Sequence, residues 1–467
     1  MAILGAFAVP HPPIIMKEIG GDDTKRADST IKSYEKVAEE IAALKPETII
    51  ITSPHSIMYG DYFHVSPGTS AKGSMARFGR PEISFEVEYD EELVKELSDE
   101  AENIDFPAGT LGEKNPELDH GTMVPLYFIN QKYNDYKLVR IGLSGLTLKE
   151  HYKLGMMIKE AIDKLDRKVV FIASGDLSHK LLKDGPYGLT PEGLEYDRRI
   201  MEVLGKGEFD KLFEFDENFL DKAAECGHRS FCIMAGALDG TDVESTELSH
   251  EGPFGVGYGI CTFKIMDNSK KNPEREFLKV MRDKRIRKLD EIKSNEDAYI
   301  SLARATIDSY INDGIRPDIP ENLPEEMLNE RAGVFVSIHK EGRLRGCIGT
   351  IAPVYKNIAS EIISNAIAAS TRDPRFSPIK PDELDYLDIN VDVLAEPEDI
   401  SSKDELDVKR YGVIVRKDGK QGLLLPNLDG VDSVDEQVSI ALQKAGLSPY
   451  CEGYEMQRFE VIRHEVK

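Results

Sequence analysis

Four of the ten histidines lie in short turns rich in proline, glycine, aspartate or serine. These turns are Pro10-His11-Pro12-Pro13, Pro54-His55-Ser56, Asp119-His120-Gly121 and Leu177-Ser178-His179. At least three of them follow apolar segments that predict β-strands, and ligand sites in open α/β sheets lie beyond the carboxyl ends of strands. A single histidine is more often a polar residue without a catalytic role. Four histidines that converge at one sheet edge, however, predict a functional site.

A carboxylate and a thiol stand side by side in a fifth segment, where Glu225 and Cys226 precede an apolar helix predicted for Phe231 to Leu238. Two histidines and one carboxylate on one face of a metal leave positions open for substrate and O₂ on non-haem Fe(II). Oxygen chemistry on iron is therefore the first hypothesis. The same donors with a basic histidine also suit a Zn²⁺ ion that activates water, so a hydrolytic zinc site stays open.

A second set of candidate residues lies nearer the C-terminus, in the segments Leu344 to Thr350 and Asp373 to Phe376. An arginine two residues before a cysteine favours the reactive thiolate, and glycines on both sides of the cysteine indicate close backbone packing. The alternative is a small buried residue in a tight loop. The candidates are Arg345, Cys347, Asp373 and Arg375.

The first 265 residues alternate short apolar runs with helix-like stretches, which predicts a layered α/β domain. A helix is predicted from Lys32 to Leu44, because apolar positions recur at helical spacing and Pro46 follows. The predicted strands are Ile3 to Val9, Thr48 to Thr52, Leu138 to Ile141, Val169 to Ala173 and Gly257 to Phe263.

Residues 266–293 predict a basic helical connector, in which Asn272 and Pro273 form a helix start. A basic run could bind an anion, but a solvated helix face in an acidic protein explains it as well, and we adopt that interpretation. Residues 294–467 predict a second domain of mixed α+β type. Its predicted elements are the strands Gly333 to His339, Leu387 to Leu394, Gly412 to Arg416 and Gly422 to Leu425 and the helix Ser433 to Ala445.

Composition excludes several classes of protein. The chain has 467 residues, which is too long for one ordinary core, and its net charge of -25 would repel nucleic-acid phosphates. Pro-His-Pro-Pro interrupts the N-terminal apolar segment, so we expect no signal peptide, and no apolar run is long enough to span a bilayer. Five cysteines without a framework spacing suit a reduced compartment, and we expect a cytoplasmic protein.

Five motifs of the first domain resemble, in order, those of the class III extradiol ring-cleavage dioxygenases of the LigB type. They are HPPII, SPHS, LDHGTMVPL, SGDLSH and AECG. The resemblance covers residues 1–265 and implies the layered α/β fold of that family. A related Memo-like branch shares this fold and much of the metal site without an established ring-cleaving role.

By position, the resemblance implies that His11 and His55 bind the metal and that His179 is the acid/base residue. His120 would orient substrate and bound oxygen, and Asp176 could fix the tautomer of His179 or simply form the turn after its strand. The dioxygenases place a Glu as third ligand where Memo-like proteins place a Cys, so Glu225 is preferred here and Cys226 is the alternative. The implied cofactor is Fe(II), with zinc or another divalent metal as alternatives.

The segments LRGCIGT, STRDPRFSPI and LLLPNLDG resemble the AMMECR-type domain over roughly residues 294–466. That resemblance implies a fold and candidate residues rather than a reaction. The fusion of the two domains also resembles protein A of the AmmeMemoRadiSam systems, which implies a radical S-adenosylmethionine protein as partner. This chain has no CxxxCxxC motif for such an iron–sulfur cluster.

Two hypotheses of function follow. The first is an Fe(II)-dependent, dioxygenase-like oxidoreductase that acts with O₂ on a catechol-like or aminophenol-like aromatic and has an AMMECR-type accessory domain. The alternative is a metal-binding component of a modification system that does not cleave rings and works with a radical S-adenosylmethionine partner. The sequence leaves the substrate open, and also whether the chain forms a homo-oligomer.

Overall fold

A computed structural model describes residues 3–114, 117–267, 271–340, 342–428 and 430–466. Contacts divide the chain into two compact units, Met1–Met281 and Arg282–Lys467. This division falls inside the predicted basic connector, whose Lys270 lies outside the described residues. None of the helices in the described ranges has the length and apolar character that crossing a membrane requires.

The first unit is built on a mixed sheet with the strand order β7-β2-β8-β1-β10-β9. The strands are β1 (Ile3–Val9), β2 (Thr48–Ser53), β3 (Phe63–His64), β4 (Ser70–Met75), β5 (Arg80–Glu88), β6 (Ala108–Gly109), β7 (Lys137–Gly142), β8 (Val169–Ser174), β9 (Asp242–Glu251) and β10 (Tyr258–Asp267). The helices are α1 (Lys17–Gly20), α2 (Asp28–Leu44), α3 (Glu91–Asn103), α4 (His120–Ile129), α5 (Leu148–Leu165), α6 (Pro191–Lys206), α7 (Glu217–Ala223) and α8 (His228–Ala237). Helix α9 (Phe277–Ser294) crosses the division between the units.

Helices cover both faces of this sheet, because its central strands are apolar on both sides. In β8, Phe171 and Ala173 belong to the core that also contains side chains of α3, α5, α6 and α8. The alternate residues Val170 and Ile172 belong to the core formed with α2 and α4. This alternation follows from the two-residue repeat of a strand. The layered α/β fold predicted for the first domain is confirmed.

Strands β2, β8 and β1 are parallel neighbours, so their carboxyl ends meet at one edge of the sheet. His11 lies two residues beyond β1, and His55 lies two residues beyond β2. Asp176 and His179 follow β8. The sheet therefore brings together turns that are far apart in the sequence, as expected for an open α/β sheet.

Strands β4 and β5 form a separate antiparallel ribbon that packs against the segment before α4. Met75 of β4 is buried, and a Cβ atom built on Gly73 would lie 2.8 Å from Leu118 Cβ. This face of β4 therefore packs closely on the segment before α4, which contains Leu118. A short 3-10 turn, Ala76–Phe78, joins the strands. It is followed by Gly79, whose φ of 78° lies in the left-handed region that glycine favours.

The second unit has an antiparallel sheet with the order β12-β11-β13-β17-β15-β16, in which β14 pairs with β17. Its strands are β11 (Gly333–Lys340), β12 (Arg343–Gly349), β13 (Leu387–Leu394), β14 (Glu398–Ile400), β15 (Tyr411–Lys417), β16 (Lys420–Leu424) and β17 (Glu455–His464). Its helices are α10 (Ala298–Asp313), α11 (Glu325–Asn329), α12 (Ile358–Thr371) and α13 (Val434–Lys444). The predicted α+β class is confirmed, but Arg343–Gly349, which contains Cys347, is a strand and not a loop.

Candidate metal centre

His11 is held in place at both its backbone and its ring. Its amide donates to Asp176 Oδ1 at 2.8 Å, and its side chain is buried. The ring Nδ1 lies 2.9 Å from Ser174 Oγ, and that hydroxyl donates its own proton to the Gly121 carbonyl at 2.6 Å. Ser174 must therefore accept from a protonated Nδ1, which leaves the Nε2 lone pair of His11 available to a metal.

His55 approaches His11 from the neighbouring turn, and the two Nε2 atoms are 3.0 Å apart. The amide of His55 donates to Ser53 Oγ at 3.2 Å, and Ser53 in turn donates to Asp119 Oδ1. A zinc–imidazole bond is about 2.0–2.1 Å long, so two nitrogens on adjacent positions of one ion lie roughly 3.0–3.5 Å apart. The separation of these two Nε2 atoms fits a shared metal ion.

The third member of the cluster is Cys226. Its Sγ lies 3.7 Å from His11 Nε2, and the ligand atoms of His11, His55 and Cys226 all lie within 4.8 Å of one another. We preferred the carboxylate of Glu225 as the third ligand. In the structure it instead accepts a hydrogen bond of 2.6 Å from the amide of His228, at the start of α8. Helix N-termini attract anions because their first amides are unpaired. The structure therefore groups the thiol, and not the carboxylate, with the two histidines.

His179 belongs to a second cluster that shares the thiol, because possible ligand atoms of Asp176, His179 and Cys226 also lie within 4.8 Å of one another. The His179 Nδ1 atom is buried and has no hydrogen-bond partner among the described residues. Asp176 is not hydrogen-bonded to that nitrogen, which does not support the first of the two roles considered for it, fixing the tautomer of His179 or forming the turn after its strand. Its carboxylate holds the amide of His11 instead.

His120 is the first residue of α4, and Asp119 caps that helix by accepting from the Thr122 amide at 3.0 Å. The His120 ring stacks on His55 with 4.0 Å between ring centroids, and its centroid lies 5.5 Å from that of His11. The four histidines selected from the sequence therefore gather at one sheet edge. His11, His55 and His120 are in direct ring contact.

Burial governs the charge of these groups. It lowers the pKa of His11 well below its ordinary value, and the nearby His55, His120 and His179 rings lower it further. Burial, with His55, lowers the pKa of His120 to about 4, so both imidazoles are neutral at pH 7. Burial raises the pKa of Asp176 to about 7 and that of Cys226 well above its usual range. Neutral histidines are the form that binds a metal, and a bound cation would favour the thiolate.

A cavity of about 240 Å³ opens beside His55 and His120. Its walls come from the turn after β2, the segment before α4 and the turn of the β4–β5 ribbon, and Arg140 of β7 also lines it. Arg140 is held by Ser66 Oγ at 2.8 Å and by the Glu117 carbonyl at 2.6 Å. The candidate metal centre is thus next to a space that could hold a small ligand.

Three residues of this region were missed from the sequence. Ser174 lies inside the SGDLSH motif, which was a signal for it, although the motif does not show what its hydroxyl contacts. Arg77 and Phe78 line the cavity from the ribbon, in a stretch without metal-binding residue types. Their position depends on long-range packing of the ribbon, which local sequence patterns do not reveal.

The candidates of the second unit are only partly brought together. The buried Asp373 carboxylate accepts from the Cys347 amide at 2.9 Å and pairs with Arg375 at 2.7 Å. Arg375 lowers the pKa of this carboxyl below its usual range. Ser337 Oγ lies 3.2 Å from Cys347 Sγ. Arg345, however, pairs with Glu383 at 3.0 Å.

One of the relatives matches the whole length of this chain, and others match about a third of it. A protein of Clostridium acetobutylicum, CA_C1420, is 42% identical over 475 residues, and the match covers 100% of both chains. A protein of Thermotoga maritima is 49% identical over 173 residues, which are 36% of this chain and 98% of that protein. The crystal structure of PH0010 from Pyrococcus horikoshii has 33% sequence identity and a TM-score of 0.34, and covers 37% of this chain and 91% of that one.

Two family profiles match separate parts of the sequence. The family described as catalytic LigB subunit of aromatic ring-opening dioxygenase matches residues 5–261, and the AMMECR1 family matches residues 300–464. Both matches confirm the resemblances seen in the motifs. The chain therefore belongs to the LigB dioxygenase family through its first unit and carries an AMMECR1 domain in its second.

Proposed function

We propose that the first unit is a non-haem Fe(II)-dependent oxidoreductase that opens the ring of a catechol-like or aminophenol-like substrate with O₂. The AMMECR1 domain would be its accessory. One observation carries this proposal: the His11 and His55 Nε2 atoms, 3.0 Å apart, form one cluster with the Cys226 thiol, and His55 of this cluster also lines a cavity of about 240 Å³. A cavity of about 150 Å³ can hold benzene, so this space admits one substituted ring.

His11, His55 and Cys226 would hold the metal. Bound Fe(II) would supply open coordination positions and one-electron chemistry to the substrate and O₂. Ser174 keeps the His11 ring in the tautomer that presents Nε2. Asp176 fixes the loop that carries this ring, through the His11 amide. The chain's contribution to binding is therefore a set of donors oriented in advance.

His179 would accept a hydroxyl proton from the substrate and return it later in the reaction. Burial lowers the pKa of its ring, so the ring is neutral at pH 7 and able to accept a proton. Its Nδ1 atom is buried and has no hydrogen-bond partner among the described residues. His120 lines the cavity and would hydrogen-bond a substrate oxygen.

The test is to load the full-length chain anaerobically with Fe(II) and to record its electron paramagnetic resonance spectrum with nitric oxide, a mimic of O₂. We expect a high-spin iron–nitrosyl signal that H11A and H55A lose and H179Q keeps. Oxygen uptake with a panel of catechols and aminophenols should occur in the unaltered protein and fall by about 10²- to 10⁴-fold in H179Q. Bound iron without oxygen uptake on the whole panel would rule out ring cleavage.

A second candidate is favoured by the thiol of Cys226. A sulfur donor suits softer coordination or a redox role better than a carboxylate does. In this alternative the centre binds metal without cleaving rings, as a component of a modification system with a radical S-adenosylmethionine protein. If this alternative is right, the metal-loaded protein takes up no oxygen with any of the catechols and aminophenols tested. It does, however, bind the radical S-adenosylmethionine protein in calorimetry.

Metal analysis of the protein as purified separates iron from zinc. A different outcome is a protein that is purified with zinc alone, hydrolyses esters or amides, and takes up no oxygen after it is loaded with iron. This result would favour a zinc hydrolase that uses the same metal-binding residues.

A further inference from the structure

A hydroxyl and a thiol face each other on the sheet of the second unit. Ser337 of β11 and Cys347 of β12 are directly opposite in the antiparallel pair. Val336 and Ile338, on either side of Ser337, belong to the core formed with α10 and α12. Because side chains alternate between the two faces of a strand, the hydroxyl and the thiol point away from that core. Cys347 is half-buried, and β12 is an edge strand, so the thiol can be reached from solvent.

The sulfur of Cys347 accepts a hydrogen bond and donates none. Ser337 Oγ donates to Cys347 Sγ at 3.2 Å, and the thiol has no acceptor in the part of the chain that the structure describes. The Cys347 amide donates to the buried Asp373 carboxylate at 2.9 Å, which fixes the backbone at this position. A sulfur that only accepts can take the negative charge of the thiolate, which is the nucleophilic form of cysteine.

Arg375 lies on one side of this sulfur. Its Nε and Nη2 atoms donate to the Asp373 carboxylate at 2.9 and 2.7 Å, and Nη2 also donates to the Cys347 carbonyl at 3.2 Å. The hydrogen bond to Asp373 raises the pKa of Arg375 most, and Cys347 raises it further. The Nη1 atom makes no hydrogen bond within the described ranges, and 54% of the side chain is exposed. One edge of the guanidinium is therefore open to a ligand.

Lys444, the last residue of α13, adds a positive charge that no carboxylate neutralises. Its ammonium forms no ion pair or hydrogen bond with any residue that the structure describes. Burial lowers the pKa of this ammonium, Cys347 raises it and Arg375 lowers it, so the three side chains are close neighbours. Because Asp373 already balances the charge of Arg375, Lys444 gives the surroundings of the thiol a net positive charge.

We propose that Cys347 is a nucleophile for thiol–disulfide exchange with small disulfides that carry carboxylates, which Lys444 and the open edge of Arg375 attract. Positive charge beside a reactive group raises the local concentration of anionic reagents. The Cys347 thiol first loses its proton to water. The thiolate then attacks one sulfur of the ligand, and the S–S bond of the ligand breaks as the new one forms. The other half leaves as a thiolate and takes up a proton, so exchange needs no further oxidant or reductant.

The test measures second-order rate constants of the full-length chain with two probe disulfides of different charge. One probe, 5,5′-dithiobis(2-nitrobenzoate), carries a carboxylate on each ring, and the other, 4,4′-dithiodipyridine, is neutral. Comparison with C347S separates the reaction of Cys347 from that of the remaining cysteines. The ratio of the anionic to the neutral rate constant reports the attraction of charge, because a change in the thiolate fraction affects both reactions equally.

We expect K444Q to lower this ratio about fivefold and K444E about 25-fold, as expected for one and two unit charges removed from near the thiol. K403Q is the matched control and should keep the ratio, because Lys403 is paired with Asp435 at 2.7 Å. Incubation with oxidised glutathione should attach one glutathionyl group to Cys347, seen by peptide mass spectrometry. The same ratio in K444Q, K444E and the unaltered protein, or a Cys347 that takes up no glutathionyl group, would overturn the inference.

Discussion

Ser174 accepts a hydrogen bond from the Nδ1 atom of His11, because its own proton is directed to the carbonyl of Gly121. One hydroxyl therefore joins the end of β8, the first turn of α4 and the loop after β1. The consequence for chemistry is the orientation of His11, whose Nε2 atom lies 3.0 Å from that of His55. Groups that orient a metal-binding histidine through its other nitrogen contribute strongly to metal affinity.

Removing this hydroxyl should weaken metal binding without removing a ligand. In S174A the His11 ring can rotate or change tautomer, so we expect the affinity for Zn²⁺ or Fe(II) to fall by about 10- to 100-fold. Competition with a chromophoric chelator measures this loss. S98A is the control, because Ser98 donates to a carbonyl of its own helix and touches no candidate ligand. An S174A protein with unchanged affinity would show that the hydroxyl does not orient His11.

Cys226 and Glu225 can be distinguished by a matched pair of isosteric variants. C226S should lose the thiolate-to-metal absorption band of the Co²⁺-substituted protein and bind metal more weakly. E225Q should keep both the absorption band and the metal affinity of the unaltered protein. Its glutamine oxygen can still accept a hydrogen bond from the His228 amide at the start of α8. The reverse result, with metal lost from E225Q and retained by C226S, would make Glu225 the ligand.

Gly175 allows the loop that carries Cys226 to approach β8. A Cβ atom at this position would lie 2.1 Å from Gly227 Cα, which is backbone and has little room to move. We expect G175A to displace the Cys226 loop and to reduce metal affinity at least as much as C226S does, although every ligand remains. G60A is the control, because a Cβ atom there has no neighbour within 4 Å. Chelator competition measures the metal affinity of G175A and of G60A. Equal metal affinities of the two variants would exclude a role of Gly175 in placing Cys226.

The sheet and the four histidines could be predicted from the sequence because their signals are local. The apolar runs of β1, β2 and β8 mark buried parallel strands, and His11 and His55 follow two of them within two residues. The choice between Glu225 and Cys226 as the partner of the two histidines could not be predicted in this way. Glu225 and Cys226 are adjacent, and their directions depend on Ala224, whose φ of 52° is left-handed. No residue-type pattern identifies that turn at an alanine.

Other elements escaped prediction because long-range packing determines them. Strand β9 is mostly polar, since it lies at the sheet edge, and offers no apolar run. The alternative of a tight loop around Cys347 was wrong, because the two flanking glycines occur within β12. A Cβ atom on Gly346 would lie 2.3 Å from the Ala369 carbonyl, and one on Gly349 would lie 2.2 Å from the Phe335 ring. These glycines permit close packing on the strand rather than a turn.

The Glu383 carboxylate of the second unit is surrounded by basic side chains that hydrogen-bond to it. It accepts from Lys340 at 2.9 Å, from Arg345 at 3.0 Å and from the Lys380 amide at 3.0 Å. Burial opposes ionisation of this group, but the hydrogen bonds from Arg345 and Lys340 outweigh it and lower the pKa of Glu383 to about 2. The folded protein therefore binds this proton more weakly than the unfolded chain, in which the pKa is near 4.5.

A carboxyl whose pKa is lower in the folded state stabilises that state above the unfolded pKa, and the contribution disappears as the pH falls through the folded pKa. We therefore expect E383Q to lower the free energy of unfolding of the second unit at pH 7 by about 1–2 kcal/mol, allowing for solvent screening. The difference from the unaltered protein should shrink between pH 4.5 and 2. Calorimetric melting across this range measures it. D385N is the control, because Asp385 lies two residues away and is largely exposed. A difference that stays constant with pH would mean that Glu383 acts through packing and not through its charge.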